Sequence, residues 1–125
     1  LFSTLHTTGA ANTVDRIIDV FPAGQQAQVR MQLSLVLRAV VSQQLIPSTD
    51  GGIAPAFEVM IVDNAISNMI REGKTHQMDN VIYAGAAQGM MTMDGDILRL
   101  YREGRITREN ALLYAINPEI LAKKL

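Results

Sequence analysis

The stretch "MIREGKTHQM", residues 69–78, decides how the middle of this chain is interpreted. It contains Gly73-Lys74-Thr75, the ending of a phosphate-binding P-loop, which also needs a glycine five residues earlier, a strand leading in and a helix leading out. Position 68 is Asn68, and the apolar residues before the glycine recur at helical spacing. The segment is therefore predicted to be the end of an amphipathic helix, with Gly73 as its stop and Thr75 as the cap of the next helix.

The composition is that of one folded unit or part of one. The chain has 125 residues, a hydrophobic fraction of 48% and a mean hydropathy of +0.13, which is ample for a buried core. Its 11 basic and 12 acidic residues give a net charge of -1, which indicates neither a nucleic-acid nor a membrane-surface partner. The absence of cysteine excludes disulfides and thiolate zinc sites, in keeping with a cytoplasmic protein. No apolar run is long enough to span a bilayer.

The first residues are predicted to form a strand that ends in a polar loop. Leu1 to His6 is an extended apolar stretch, and Thr7-Thr8-Gly9 follows it as a loop. Because a strand without a preceding turn or partner looks cut from something larger, we expect the chain to be a fragment or to be trimmed at its N-terminus. His6 would then stand at a strand's C-terminal end, where open α/β sheets place ligands, or would be a surface or structural histidine.

Helices and one hairpin are predicted for the rest of the chain. Apolar spacing predicts helices over 10–20 and from 25 to about 41, then strands over 42–46 and 53–62 joined by a turn. After this hairpin we expect only short helices, packed as a small bundle on one core. Their predicted caps are Asp63, Thr75, Thr92, Thr107 and Asn117, and their predicted stops include Gly73 and Gly104. The predicted fold class is α/β, with few strands and mostly helix.

Few titratable side chains are placed for chemistry. Glu58 alternates with apolar neighbours in the second strand, so it is either a buried acid or part of the outward face of an edge strand. His76 has no partner at metal-ligand spacing, and no metal site is predicted. Asp15-Arg16 and Arg30 are able to reach a phosphate, but an exposed ion pair on a helix is the simpler interpretation.

Four stretches resemble one family of motor proteins. "LFSTLHTTGAANTVDRIIDVFP" (1–22) resembles the segment after the Walker B strand of the secretion and pilus motor ATPases. The next three resemble the C-terminal part of the twitching-motility, or type IV pilus retraction, ATPases. They are "QVRMQLSLVLRAVVSQQLIP" (28–47), "APAFEVMIVDNAISNMIREGKTHQM" (54–78) and "GMMTMDGDILRLYREGRITRENAL" (89–112). The resemblance covers essentially the whole chain, in order and without a large gap.

This resemblance implies the C-terminal part of a RecA-like P-loop ATPase core over 1–62 and a C-terminal helical region over 63–125. For the intact protein it implies a homo-hexamer that hydrolyses ATP with Mg²⁺ and powers pilus retraction. Such a motor would lie peripherally at the cytoplasmic face of the inner membrane and contact the inner-membrane pilus platform protein, with no nucleic acid involved. Its Walker A motif would lie upstream of residue 1, so the chain alone is predicted to bind no nucleotide and to be inactive.

The resemblance also implies a catalytic loop. Thr4-Leu5-His6-Thr7-Thr8 is similar to the family's histidine box. His6 would therefore approach the γ-phosphate side of ATP as a sensing residue, and Thr4, Thr7 and Thr8 would lie beside the nucleotide. A neutral imidazole is suited to this role, since it can donate to a phosphate oxygen or orient a water molecule.

A second implied site is an interaction surface. Residues 65–72 resemble the retraction family's signature helix, which typically reads Ala-Ile-Arg-Asn-Leu-Ile-Arg-Glu. The chain departs from it at Ser67 and Met69, and so lacks a charged contact at position 67. The predicted surface residues are Ile66, Asn68, Ile70, Arg71 and Glu72.

Two alternatives to a retraction motor stay open. In the first, the chain is a non-catalytic interaction module whose helices dock partner subunits. In the second, it is part of a related secretion or pilus-assembly ATPase. Many assembly and secretion ATPases carry a four-cysteine zinc module in the corresponding region, whereas this chain has a short turn at 47–52 and no cysteine. This contrast favours retraction.

Overall fold

A computed structural model describes all 125 residues as seven α-helices, three 3₁₀ turns and one two-stranded sheet. The helices are α1 (Ala10–Asp19), α2 (Gln26–Val36), α3 (Asn64–Glu72), α4 (Met78–Ala84), α5 (Met93–Arg102), α6 (Arg108–Tyr114) and α7 (Pro118–Ala122). The strands are β1 (Ala39–Pro47) and β2 (Ile53–Ile61), and the 3₁₀ turns are Ala23–Gln25, Thr75–Gln77 and Ala86–Gln88. The predicted architecture, one hairpin followed by short helices, is confirmed. No helix is long and apolar enough to cross a membrane.

The hairpin is antiparallel, with Ala39 opposite Ile61 and Pro47 opposite Ile53. It starts earlier than predicted, because α2 ends at Val36 and the helix expected to run to about 41 does not continue. The pattern of apolar residues before position 42 is compatible with a helix and with a strand. Residues 39–41 form a strand because they pair with β2. The outer face of the hairpin is apolar and open: Val41 is 65% exposed and Ile53 is 63% exposed.

The predicted strand from Leu1 to His6 is wrong. These residues form no regular structure, and every one of them is exposed. A strand needs a partner for its backbone hydrogen bonds, and the only sheet in the chain consists of β1 and β2. His6 therefore lies in an open loop before α1.

Two apolar clusters form the core, and they meet along β2. The first joins α1, α3 and α4 to Met60 of β2, and the second joins α5, α6 and α7 to Ala54 and Ala56. Side chains from both sides of position 62 pack in each cluster. The division into 1–62 and 63–125 stays a prediction.

Local capping chemistry follows the sequence. Side chains of Asp63, Thr92, Thr107 and Asn117 each accept a hydrogen bond from the backbone three residues on, as predicted for N-caps. The helix stops at Gly73 and Gly104 have φ of 72° and 73°. These caps fix where the short helices of the second half begin and end.

Gly9→Ala tests how tightly the start of α1 is held. Gly9 has a φ of 88°, and a Cβ there would lie 3.2 Å from Ile116 Cδ1. Strain and contact together should lower the free energy of unfolding by about 1–3 kcal/mol in urea denaturation.

Two control glycines separate these causes. Gly51 has a φ of 87° but an open surrounding, so Gly51→Ala measures strain alone. Gly24 has neither feature, and Gly24→Ala should change stability by less than about 0.5 kcal/mol. Equal effects at Gly9 and Gly51 would show that the contact with Ile116 is unimportant.

Candidate functional site

The Gly-Lys-Thr segment is a helix stop, as predicted. Gly73 ends α3 in the left-handed conformation, and the Lys74 amide donates to the Met69 carbonyl at 2.9 Å. The Lys74 ammonium lies 3.3 Å from Glu72 in an exposed ion pair. A helix precedes the glycine, so the backbone does not form the strand–loop–helix that surrounds a phosphate.

Thr75 does not cap the following helix, so that part of the prediction is wrong. Its hydroxyl donates to the Asp15 carboxylate, at 2.8 Å and 3.0 Å from the two oxygens. Thr75 is already the first residue of the turn Thr75–Gln77 and does not stand at the N-cap of α4, and its buried hydroxyl points to α1, where it has a charged acceptor. Thr75 thus ties the segment after α3 to α1.

A polar cleft of about 500 Å³ opens beside the loop that carries His6. His6 is exposed there and faces one polar side of α1. The lining residues are His6, Thr7, Thr8, Asn12, Asp15, Arg16 and Asp19. The cleft brings together three of the four predicted histidine-box residues, while Thr4 is exposed outside it. The lining combines donors, from His6, Arg16, two hydroxyls and an amide, with the carboxylates of Asp15 and Asp19, so the cleft is suited to a polar ligand.

The histidine loop is attached to α1 by short hydrogen bonds. The Thr7 and Thr13 hydroxyl oxygens are 2.7 Å apart, and the Asn12 side-chain amide donates to the Thr8 carbonyl at 2.9 Å. Thr13 also donates to the Gly9 carbonyl at 2.9 Å. The position of the loop therefore depends on the position of the first turns of α1.

The start of α1 is in turn held by the hairpin. The Gly9 amide donates to Ser42 Oγ at 2.9 Å, and the Ala10 amide donates to Glu58 Oε2 at 2.5 Å. Ser42 and Glu58 are directly opposite each other in the register of β1 and β2. One cross-strand pair of inward side chains therefore holds two successive amides.

Glu58 is a buried acid, which resolves the choice left open by its alternating pattern. Its side chain is 1% exposed, and Oε1 accepts a second hydrogen bond from the Met93 amide at 3.1 Å, at the start of α5. Burial raises the pKa of Glu58 above its usual value of 4.5, while the hydrogen bonds from Ala10 and Met93 act in the opposite direction. The carboxyl group thus links β2 to the beginnings of two helices.

A second cleft, of about 480 Å³, lies on the other side of Glu58, between α4 and the segment after α6. Asp79 and Asp94 line it, together with exposed His76 and Lys124. Burial raises the pKa of Asp79, and the nearby negative charge of Asp94 adds to the effect. Asp94 is already engaged, because its two oxygens accept from the Ile116 and Asn117 amides at 2.7 Å and 2.8 Å.

The predicted interaction surface is only partly on the surface. Ile66 and Ile70 are fully buried in the first apolar cluster, so their prediction as surface residues is wrong. They occupy the inner side of the amphipathic helix α3, which has to be buried for the helix to be stable. Asn68, Arg71 and Glu72 are exposed, and Arg71 bonds to the Asn68 side chain.

Position 67 has a structural role in this chain. Ser67 Oγ donates to the Ser34 carbonyl at 2.8 Å and so connects α3 to α2. The serine that departs from the family signature therefore forms a contact between helices inside the fold.

No three His, Asp or Glu side chains come together in a way that could hold a metal ion.

Three residues of structural interest were underestimated from the sequence: Asn12, Arg16 and Glu58. Asn12 and Arg16 are separated by one helical turn, and this spacing places them on one side of α1 beside the loop. The four-residue spacing in the sequence could have indicated that Asn12 and Arg16 act together. For Glu58, the sequence offered only its alternation with apolar neighbours, which does not distinguish a buried acid from an exposed one.

No protein-family profile matches the chain. Two curated relatives are similar along nearly all of it. A twitching motility protein of Neisseria gonorrhoeae is 48% identical over 123 residues, which cover 98% of this chain and 33% of that protein. The type IV pilus retraction ATPase PilT of Pseudomonas aeruginosa is 49% identical over 119 residues, which cover 95% of this chain and 35% of that protein.

The fold leads to the same relatives. A crystal structure of the pilus retraction motor PilT with bound ADP matches with a TM-score of 0.84 and 39% identity, over 96% of this chain and 33% of that one. By fold, the chain therefore corresponds to the C-terminal domain of PilT, a mostly helical part of a RecA-like ATPase fold. More narrowly, it is homologous to the twitching-motility protein PilT, and it spans about one third of the length of these relatives.

Thr75→Val tests the structural role of the Gly-Lys-Thr segment. The substitution keeps the side-chain shape but removes the donor to Asp15, so the free energy of unfolding should fall by about 1–3 kcal/mol in urea denaturation. The control is Lys74→Ala, which removes only an exposed ion pair and should cost less than about 0.5 kcal/mol. If Thr75→Val has the same free energy of unfolding as the wild type, the hydrogen bond to Asp15 does not contribute to stability.

Glu58→Gln tests the buried carboxyl group through its pH dependence. Because the pKa is raised in the folded state, the folded chain holds this proton more tightly than the unfolded chain. The contribution of Glu58 to wild-type stability should therefore fall as pH rises from about 4.5 through the raised pKa, whereas Gln at this position cannot titrate. The wild-type advantage over Glu58→Gln, measured by urea denaturation, should shrink with rising pH.

Asp79 is present in both proteins, but its negative charge is one of the causes that raise the pKa of Glu58. The measured difference therefore reports Glu58 together with its interaction with Asp79. A difference that is constant or grows over about pH 4 to 8 would contradict the inferred direction of the Glu58 shift.

Proposed function

We propose that this chain is the C-terminal portion of an ATPase motor that powers type IV pilus retraction and twitching motility. The observation that carries the proposal is the agreement of fold and sequence with the pilus retraction motor PilT, at a TM-score of 0.84 and 39% identity. The relatives' names support retraction over secretion or pilus assembly, since they are a twitching motility protein and a type IV pilus retraction ATPase.

In this proposal His6 acts at the γ-phosphate side of ATP. Its exposure in a polar cleft, beside the Thr7 and Thr8 hydroxyls, supports this role, since a phosphate needs several convergent donors. Arg16 adds a cationic donor that enters no ion pair within the chain. Thr4 remains a weaker candidate for nucleotide contact, because it does not line the cleft.

The rest of the ATPase machinery would come from elsewhere in the motor. The Gly-Lys-Thr segment ends a helix, and no acidic cluster is suited to Mg²⁺, so the P-loop lysine and the metal contacts would be supplied outside these residues. The 125-residue polypeptide alone is accordingly expected to hydrolyse no ATP. The exposed apolar face of the hairpin supports this division, since the remainder of an ATPase core would bury it.

The proposed assembly is a homo-hexamer at the cytoplasmic face of the inner membrane. Asn68, Arg71 and Glu72 are exposed on α3 and are the residues through which we propose contact with the pilus platform protein. The alternative of a purely non-catalytic interaction module predicts an exposed patch around Ile66 to Met78 or Met90 to Met93. Ile66, Ile70, Met78 and Met93 are instead fully buried, so the motor is the better supported function.

His6→Ala in the full-length motor tests the proposed function. Loss of a group that orients the hydrolytic water or donates to the phosphate should lower kcat at least about tenfold, with binding of a fluorescent ATP analogue changed less than about threefold. The control is His76→Ala, because His76 is exposed beside the second cleft and outside the proposed nucleotide site. Equal kcat values for wild type and His6→Ala would refute the role of His6, and a wild-type protein without ATPase activity would refute the motor itself.

A further inference from the structure

The cross-strand pair Ser42 and Glu58 connects the histidine loop to the helical half of the chain. Ser42 Oγ and Glu58 Oε2 accept from the Gly9 and Ala10 amides at 2.9 Å and 2.5 Å, immediately after the loop. All these atoms are buried, so the bonds are shielded from competition with water. The remaining oxygen of Glu58 accepts from the Met93 amide at 3.1 Å, at the first residue of α5.

The histidine loop has few other attachments. The hydrogen bonds made by Thr7 and Thr8 go to Thr13 and Asn12, both on α1, and residues 1–6 are exposed. The place of His6 therefore follows from the place of the α1 N-terminus, which is held by Ser42 and Glu58 together with the packing of Ala10 in the first apolar cluster. Because the same carboxyl group binds α5, Glu58 gives a change in the position of α5 relative to β2 a direct route to the loop.

We propose that Ser42 and Glu58 are positioning residues for His6, and that Glu58 couples the catalytic loop to the N-terminus of α5. This inference rests on the proposed role of His6 in ATP hydrolysis. Neither side chain lines the cleft beside His6, so their effect on the reaction passes through the backbone of Gly9 and Ala10. A displacement of the histidine by about 1 Å is enough to cost a large part of the rate.

Asp96 provides a matched control within the same strand and helix. Its side chain is also 1% exposed, and it accepts from the Phe57 amide of β2 at 2.8 Å and from Arg99 at 2.7 Å. Asp96 thus joins α5 to β2 as Glu58 does, but it makes no bond to α1 or to the histidine loop. Asp96→Asn should destabilise the fold without misplacing His6.

The experiment compares Glu58→Gln, Ser42→Ala and Asp96→Asn in the full-length motor. Glu58→Gln is expected to lower kcat at least about tenfold, and Ser42→Ala about threefold or more, with KM for ATP changed less than about threefold. Asp96→Asn should keep kcat within about twofold of wild type. Deuterium uptake should rise in peptides covering residues 5–12 for the first two variants only.

The outcomes separate this inference from the proposed function. The test is valid when the wild type is active and His6→Ala is impaired. Under these conditions, Glu58 and Ser42 variants whose kcat and deuterium uptake equal those of Asp96→Asn would refute the positioning role. If Glu58→Gln does not fold, Ser42→Ala decides alone: a lower kcat with faster exchange at 5–12 supports the inference, and unchanged values overturn it. A wild type without ATPase activity, or a fully active His6→Ala, instead refutes the proposed function.

Discussion

The buried carboxyl group of Glu58 is the interaction on which the arrangement of the chain depends. It stands on β2 between Ala56, which packs in the second apolar cluster, and Met60, which packs in the first. Its two oxygens accept the first amides of α1 and α5, and such amides have no partner inside their own helices. Without Glu58, two buried donors would be left unpaired where β2, α1 and α5 meet, at a cost of about 1–3 kcal/mol for each. Both apolar clusters are therefore organised around one polar contact.

This arrangement joins the proposed catalytic loop to a rigid support and leaves the His6 side chain exposed at an open cleft. Thr7 and Thr8 are bonded to α1, while Gly9 and Ala10 are bonded to the hairpin behind them. Glycine is favoured at position 9, because a φ of 88° is strained for other residues and an added Cβ would lie only 3.2 Å from Ile116 Cδ1. A functional loop on a fixed scaffold is a common solution for phosphate chemistry.

Much of the fold was predictable from local chemistry, and the errors have identifiable causes. The caps at Asp63, Thr92, Thr107 and Asn117 were predicted because each bond spans three residues and depends on little else. The Thr75 cap failed because the chain turns one residue earlier, so that Thr75 lies inside the turn Thr75–Gln77, and the bond to the distant Asp15 carboxylate directs its hydroxyl toward α1. The start of β1 was misplaced because a run of apolar, partly β-branched residues suits a helix and a strand equally well.

The sequence by itself determined four of the helix caps and the stops at Gly73 and Gly104, the existence of the hairpin, the amphipathic pattern of α3, the rejection of a P-loop at position 73, and the resemblance that led to the relatives. Only the tertiary structure decided that α2 ends at Val36, that Glu58 is buried and that Thr75 binds Asp15. The bonds of Glu58 join residues 48 and 35 positions apart, and that of Thr75 spans 60 positions. No local pattern specifies which donor meets which acceptor over such separations, because the choice is made by the packing of whole elements against one another.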